Sequence, residues 1–85
     1  MSEKKVGEVF QFFSRPSVAA IRITEGCLKV GDKIHILGNT TDLRQTVESM
    51  QVSHMRVHVA NAGDEIGMMV FERVRRNDAV YVVTD

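Results

Sequence analysis

A turn that leads into an alternating strand occurs three times in this chain, and this repeat is its most constraining feature. The first copy is Gly31-Asp32, which precedes the strand-like segment Lys33–Leu37, and Gly63-Asp64 and Asn77-Asp78 precede similar segments. Glycine enters positive φ without a Cβ clash, asparagine is the next most tolerant residue, and aspartate hydrogen-bonds locally as a strand begins. The repeat predicts a small all-β protein.

The composition fits one small domain that spans residues 1–85, with residues 1–5 expected to be flexible. Apolar residues make up 44% of the chain, which is too high for a disordered protein. Lysine plus arginine equals aspartate plus glutamate, at 11 each. This balance argues against nucleic-acid binding by bulk charge, because counterion release needs clustered positive residues. A local basic face stays compatible with it.

The N-terminus lacks the apolar run of a signal peptide, and no stretch reaches the length of a membrane span. We therefore expect a cytoplasmic protein without a membrane partner. Cys27 is the only cysteine, so an internal disulfide and a multi-cysteine metal site are both excluded.

Several segments have the composition and alternation of strands. They are Val6–Phe13, Val18–Thr24, Lys33–Leu37, Glu65–Phe71 and Ala79–Val83, with a shorter extended piece at 57–59. The first segment is apolar on both faces, which predicts either a strand covered on two sides or a change of phase at a bulge. Pro16 places a turn after this segment, so the first two strands should form a hairpin.

The segment Leu43–His54 is ambiguous from its pattern alone. Apolar residues at helical spacing and a capping pair, Asp42 with Gln45, favour a helix. The β-branched residues in the segment favour a strand, provided that a bulge falls at Glu48-Ser49. The residues by themselves leave both alternatives open.

Four stretches, taken in their order and spacing, resemble the second domain of translational GTPases of the elongation factor Tu type. They are Val6-Gly7-Glu8-Val9, Leu28-Lys29-Val30-Gly31-Asp32-Lys33-Ile34, Val47-Glu48-Ser49-Met50 and Ala62-Gly63-Asp64-Glu65-Ile66-Gly67. The resemblance covers nearly the whole chain, and Asn77 replaces the glycine that is usual in the last turn. It implies a closed, six-stranded Greek-key β-barrel, in which Leu43–His54 is a strand.

The resemblance also sets expectations about function. The chain has no phosphate-binding Gly-x-x-x-x-Gly-Lys-Ser/Thr loop, so it should bind no nucleotide and have no GTPase activity. In full-length factors the similar barrel contacts RNA, the aminoacyl end of tRNA and the GTPase domain. Similar barrels are also appended to collagenase-like peptidases.

The candidate RNA-binding residues are arginines that a folded barrel could bring together: Arg44, Arg56, Arg73, Arg75 and Arg76, with Arg15 as a further possibility. The competing interpretation is a solvated charged turn in which Glu72 and Asp78 balance the arginines, because charge runs are usually just solvated. The whole segment 73–78 should then be exposed.

No other group forms a convincing site. His35, His54 and His58 are the histidines, and the pattern predicts surface residues rather than a metal site. Cys27 has no base placed beside it by the sequence, which predicts a half-buried structural residue rather than a catalytic thiol. Most of the five methionines are predicted to fill the core, especially Met50, Met55, Met68 and Met69, with an adaptable binding patch as the alternative.

These observations predict a non-catalytic binding module without a cofactor or metal. The leading hypothesis is contact with RNA or a ribonucleoprotein in translation. The alternative is a protein-interaction module that assists a separately encoded enzyme such as a collagenase-like peptidase. A metal- or thiol-dependent enzyme is a third and weaker hypothesis.

Overall fold

The chain folds into ten β-strands and no helix over residues 2–84, which are the residues that this computed structural model describes. In chain order the strands are β1 (Ser2–Ser14), β2 (Ser17–Ile23), β3 (Cys27–Lys29), β4 (Lys33–Leu37), β5 (Asp42–Thr46), β6 (Met50–Val52), β7 (Met55–Val57), β8 (Val59–Asn61), β9 (Glu65–Met69) and β10 (Ala79–Thr84). Eight of them form one antiparallel sheet in the order β5-β4-β10-β1-β2-β9-β6-β7, and β3 pairs with β8. The all-β prediction is confirmed.

The sheet does not close into the predicted six-stranded barrel. Within residues 2–84, no backbone ladder joins its outermost strands, β5 and β7. The buried side chain of Gln45 on β5 reaches the backbone at the end of β9 instead. Its Nε2 donates to the Met69 carbonyl at 3.1 Å, and its Oε1 accepts from the Phe71 N–H at 2.9 Å. The contact between β5 and the end of β9 is therefore made by a side-chain amide rather than by a backbone ladder.

The three repeated turns have the backbone conformation that the sequence predicts. Gly31 and Gly63 both have φ of 97°, and Asn77 has φ of 76°. In each turn the aspartate N–H donates to the carbonyl three residues earlier, and its Oδ2 accepts from the N–H of that same residue. These reciprocal bonds join Asp32 to Lys29, Asp64 to Asn61 and Asp78 to Arg75. A turn of this kind with positive φ at its third residue is type II, which explains the glycine or asparagine there.

Each turn is also fastened to a buried apolar residue of a distant segment. The N–H of the positive-φ residue donates to the carbonyl of that apolar residue, whose own N–H donates back to the aspartate carbonyl. The apolar residues are Val47 for the first turn, Ile23 for the second and Val9 for the third. All three are at most 1% exposed, so each turn starts one strand and anchors it to the core.

Replacing Gly31 by valine is expected to destabilise the domain by at least ~1 kcal/mol, because valine is strained at positive φ. A Cβ at this position would meet no atom within 4 Å, so the loss would come from the backbone conformation alone. Asn77→Gly keeps a residue suited to this φ and should be close to neutral. Urea denaturation of both variants checks this, and a Gly31→Val protein as stable as the parent would contradict it.

The ambiguous segment Leu43–His54 is extended rather than helical. It contains most of β5, a break at 47–49 where the bulge was placed, and β6. Ser53 and His54 then both have positive φ, at 51° and 66°, and form the two-residue loop between β6 and β7. This is the combination that a type I′ hairpin requires.

Strand β1 pairs with β2 as the predicted hairpin, and its register shifts twice, between Lys5 and Gly7 and between Val9 and Gln11. These irregularities are the predicted change of phase and explain why both faces of β1 are apolar. Ser2–Lys5 pair with β10, and the flexibility expected for residues 1–5 stays a prediction. Met1 lies outside the described residues.

The core lies on the inner face of the curved sheet. Alternation correctly predicts the buried residues of β4 and β9, among them Ile34, Ile36, Ile66 and Met68, each at most 2% exposed. The methionines differ in how far they are buried. Met50 joins Met68 in the core, whereas Met55 is 71% exposed, which contradicts a purely core-filling role for these residues.

Candidate ligand-binding surfaces

Three of the predicted RNA-binding arginines lie together on one exposed segment. Arg73, Arg75 and Arg76 belong to the connection between β9 and β10 and face a shallow cleft of about 360 Å³. We call this the arginine cleft. Its lining residues are Phe10, Gln11, Phe12, Arg73, Val74, Arg75 and Arg76. Phe10 sits at a bulge of β1, and the Arg22 guanidinium carbon lies 5.3 Å from its ring centroid. The cleft thus combines positive charge with aromatic rings.

One of the two carboxylates expected to balance these arginines, Asp78, is buried and hydrogen-bonded to the backbone instead. Asp78 is only 5% exposed, and its Oδ2 accepts from the backbone N–H of Arg75. Among residues 2–84, no ion pair within 4.0 Å involves any of the three arginines. The prediction that the whole segment 73–78 is exposed is therefore wrong at Val74 and Asp78, which are buried. The three arginines of the segment are exposed.

A second cleft, of about 260 Å³, adjoins the same segment. It is lined by the loop before β5 and by the third turn, through Gly38, Asn39, Thr40, Arg75, Arg76, Asn77 and Asp78. Gly38 packs directly on the Asp78 carboxylate, and a Cβ at position 38 would overlap it. Arg75 and Arg76 therefore contribute to both clefts.

The structure does not bring Arg44 and Arg56 to these clefts. Arg44 lies on β5, where its Nη1 donates to Oε2 of Glu3 at 3.2 Å. Arg56 lies on β7, opposite Gln51 of β6, and Arg15 lies in the turn between β1 and β2. None of the three lines either cleft.

A histidine flanked by two carboxylates is the main feature that the sequence did not reveal. His35 is 5% exposed although it lies on the outer face of β4. Its Nδ1 lies 2.8 Å from Oε1 of Glu3, and its Nε2 lies 2.6 Å from Oδ1 of Asp42. Alternation predicts the outward direction of His35, but the partner on β1 is 32 residues away in the chain and left no local signal.

Burial and hydrogen bonding act in opposite directions on this histidine. Burial by itself lowers the pKa of His35, but the bonds to Glu3 and Asp42 together outweigh it, so the pKa lies above the ordinary 6.5. The same bond to His35 holds the pKa of Glu3 below its ordinary 4.5. His35 is thus a buried part of a polar cluster, which contradicts the prediction of a surface residue.

The other metal-ligand and thiol candidates stand apart from this cluster. His54 and His58 are exposed, and residues 2–84 contain no group of three or more histidine, cysteine or acidic side chains placed to hold a metal. Cys27 is exposed rather than half-buried, because the alternation of β3 points Leu28 inward and Cys27 outward.

An apolar groove crosses the outer face of β2 and β9. Phe13, Val18 and Met69 stand opposite one another on neighbouring strands, and Phe13 and Met69 are 49% and 47% exposed. Gly67 lies beside Val18 and Met69 and has no side chain, so the surface is recessed at this position. The groove holds about 220 Å³ and is lined by Pro16, Val18, Ser49, Gln51, Gly67 and Met69. Outer faces of antiparallel sheets are normally polar, so this surface is unusual.

Comparison with protein families assigns the fold. The family model described as elongation factor Tu domain 2 matches residues 17–70, which is more than half of the chain. The chain belongs to the elongation factor Tu domain 2 family. The turns at Gly31 and Gly63 and the strands that they start all fall within the match.

Two relatives of this family member are much longer proteins. An uncharacterized protease of Methanocaldococcus jannaschii is 37% identical over 82 residues, which is 95% of this chain and 20% of the relative. A collagenase of Porphyromonas gingivalis is 39% identical over 77 residues, which is 89% of this chain and 21% of the relative. The chain therefore spans about a fifth of the length of these relatives.

Solved structures show the same domain fold. The C-terminal domain of a candidate U32 peptidase from Geobacillus thermoleovorans superposes with a TM-score of 0.87, over 95% of this chain and 93% of that domain, at 12% identity. A selenomethionine form of that domain gives a TM-score of 0.84, over 91% of this chain and 96% of that one, also at 12% identity. Residues 2–84 include no helix that could cross a membrane.

Proposed function

We propose that this elongation factor Tu domain 2 family member is a non-catalytic accessory module that binds a peptidase of the collagenase-like type. The observation that carries the proposal is the pattern of relatedness. Proteins named protease and collagenase match nearly all of this chain, yet the chain spans only about a fifth of each. A segment that forms a small part of such proteins is suited to assist a catalytic domain rather than to replace it.

The side chains that could perform catalysis are poorly placed to do so, which supports a non-catalytic role. Both ring nitrogens of His35 face carboxylates, so this imidazole has no free nitrogen to act as a base toward a substrate. A thiol nucleophile needs a partner base, and Cys27 is an exposed residue of the short strand β3.

The apolar groove is the surface that best fits a protein partner. Protein interfaces place apolar anchors at their centre and polar residues around the rim. Val18 and Met69 supply such anchors, and Ser49 and Gln51 lie at the edge of the same groove. We expect the peptidase to contact this groove.

The test is affinity capture from a native cytoplasmic extract, the expected compartment, with this chain as bait and mass spectrometry of the bound proteins. A collagenase-like peptidase should be enriched. The purified peptidase should then bind Met69→Gln at least about tenfold more weakly than the parent. Leu37→Gln changes a similarly exposed apolar residue, 41% exposed on β4, outside the groove and should bind like the parent. Capture of no such peptidase would overturn the proposal.

RNA contact through the arginine cleft is a second candidate function. It is favoured by one observation: Arg73, Arg75 and Arg76 face the same cleft as Phe10 and Phe12 and have no ion pair among residues 2–84. Arginine contacts phosphate, and aromatic rings stack on unpaired bases, so the combination suits a single strand. Recovery of RNA with the bait in the same capture would favour this candidate.

A further inference from the structure

The two carboxylate contacts of His35 define its charge. An ionised carboxylate only accepts hydrogen bonds, and a neutral imidazole carries one N–H and one bare nitrogen. Nδ1 faces Oε1 of Glu3 at 2.8 Å and Nε2 faces Oδ1 of Asp42 at 2.6 Å. Both nitrogens must therefore donate, which requires the doubly protonated imidazolium. Loss of one proton would set a nitrogen lone pair against a carboxylate oxygen.

The surroundings of His35 on every strand of this face decide how firmly it holds its proton. The Arg44 guanidinium opposes the imidazolium, and the contacting carboxylates of Glu3 and Asp42 favour it. Besides Glu3 and Asp42, the titratable and charged groups on this face are Lys5 and Glu8 of β1, Lys33 of β4, Arg44 of β5 and Tyr81 of β10, and Lys5 lies 3.9 Å from the Glu8 carboxylate. The Tyr81 ring covers the imidazole at a centroid distance of 6.3 Å.

The two carboxylates are not equivalent when the proton is lost. The Glu3 side chain is 29% exposed and keeps a second bond to Arg44 at 3.2 Å. The Asp42 side chain is 71% exposed, so water can replace the imidazole at little cost. Asp42 should therefore be the carboxylate that leaves, while the remaining N–H stays on Glu3.

Asp42 is the first residue of β5, and its release affects the loop before it. That loop, residues 38–41, is closed by a bond from the Gly38 N–H to the Thr41 carbonyl at 2.8 Å. Gly38, Asn39 and Thr40 form one wall of the second cleft, opposite Arg75 and Arg76. The histidine cluster and this cleft wall are therefore joined through Asp42.

We propose that Glu3, His35 and Asp42 form a proton-controlled clasp, which holds the start of β5 and the loop 38–41 in place while the imidazole carries both protons. Loss of one proton frees Asp42 and loosens the wall of the second cleft. The pH dependence of stability that follows from the two pKa shifts agrees with this clasp. The raised pKa of His35 gives stabilisation that is complete below about 6.5 and lost above its folded value. The lowered pKa of Glu3 gives stabilisation that is complete above about 4.5 and lost below its folded value.

The test is an NMR titration of the whole chain from pH 5 to pH 10, which follows the ring ¹⁵N signals of His35 and the amide signals of residues 38–41. Both ring nitrogens should report N–H in the doubly protonated form to a pH above 6.5, the ordinary midpoint of an imidazole. The amides of Asn39 and Thr40 should shift with the same midpoint as the ring. A ring midpoint at or below 6.5, or loop amides that do not follow it, would overturn the proposal.

An Asp42→Asn variant isolates the clasp from the rest of the fold. It removes the charge at similar size, so the ring midpoint should fall and the loop amides should lose their response in this pH range. His54→Asn serves as the control, because it removes an exposed histidine at positive φ and should leave the response of residues 38–41 intact. Loop shifts that persist unchanged in Asp42→Asn would contradict the clasp. If this variant does not fold, the ring titration of the parent still decides.

Discussion

Gly7→Ala is expected to lower the stability of the domain by about 2–3 kcal/mol or more, because the added methyl group overpacks a backbone contact. Gly7 lies in β1 at the first register shift, between β2 and β10. A Cβ there would overlap the carbonyl oxygen of Arg22 and stand 3.3 Å from Cγ2 of Ile21. The oxygen belongs to the backbone, so the clash is relieved only if β1 and β2 separate at the centre of the sheet. A domain of this size should lose roughly 10–20 °C in Tm.

Gly67→Ala is the matched control for this result. Gly67 is also a strand glycine, on β9, but its added Cβ would meet only Cγ1 of Val18 at 3.5 Å, an ordinary contact. Alanine also reduces the entropy of the unfolded chain, so this variant should be neutral or gain up to ~1 kcal/mol. Thermal and urea unfolding of both proteins measures the difference. Equal midpoints for the two variants would show that β1 and β2 are not as close at Gly7 as the structure places them.

The triple variant Arg73/Arg75/Arg76→Ala is expected to lose RNA binding if the arginine cleft holds an RNA single strand. Each phosphate contact to a single strand contributes ~0.7 to the slope of log K against log salt, so the slope should fall by roughly two units. By the same counterion-release argument, affinity at 50 mM salt should fall by roughly 100-fold or more. Titration of single-stranded and structured RNA at low and moderate salt measures both quantities.

A second triple variant separates a site from general charge. Lys4/Lys29/Arg56→Ala removes the same number of positive charges from exposed positions outside both clefts. It should bind nearly as well as the parent, because phosphate contacts act over short distances in salt. Equal losses of RNA affinity in the two variants would mean that RNA is held by diffuse electrostatic attraction rather than by a site in the arginine cleft. Undetectable binding by the parent at low salt would remove the RNA hypothesis and leave the peptidase partner.

The sequence located the turns because their signals are local. The aspartate that follows each positive-φ residue bonds the carbonyl and the N–H of the residue three positions earlier, as at Gly31-Asp32 and Asn77-Asp78. Alternation likewise assigned the inner faces of β4 and β9, since successive side chains of a strand point to opposite sides. It also placed Arg73, Arg75 and Arg76 near one another, because one short segment carries all three.

The resemblance to elongation factor Tu domain 2 decided what alternation left open, and it too had a limit. It assigned Leu43–His54 to extended chain, which the structure confirms. The resemblance also implied a closed barrel, and closure depends on whether the two edge strands of the sheet, β5 and β7, meet. Gln45 reaches the backbone at the end of β9 with its side chain, and no pattern within β5 distinguishes an amide that bonds a distant backbone segment from one that faces water.

What only the tertiary structure decided is which distant side chains meet. Glu3 and His35 become partners because β10 lies between β1 and β4 and Glu3 reaches diagonally across it. Arg44 is drawn to Glu3 instead of to the arginine cleft, and Phe10 joins that cleft through a bulge of β1. Local backbone preference is fixed by a few neighbouring residues, so sequence determines it. The approach of residues from different strands depends on the packing of the whole sheet, so it is decided only when the chain folds.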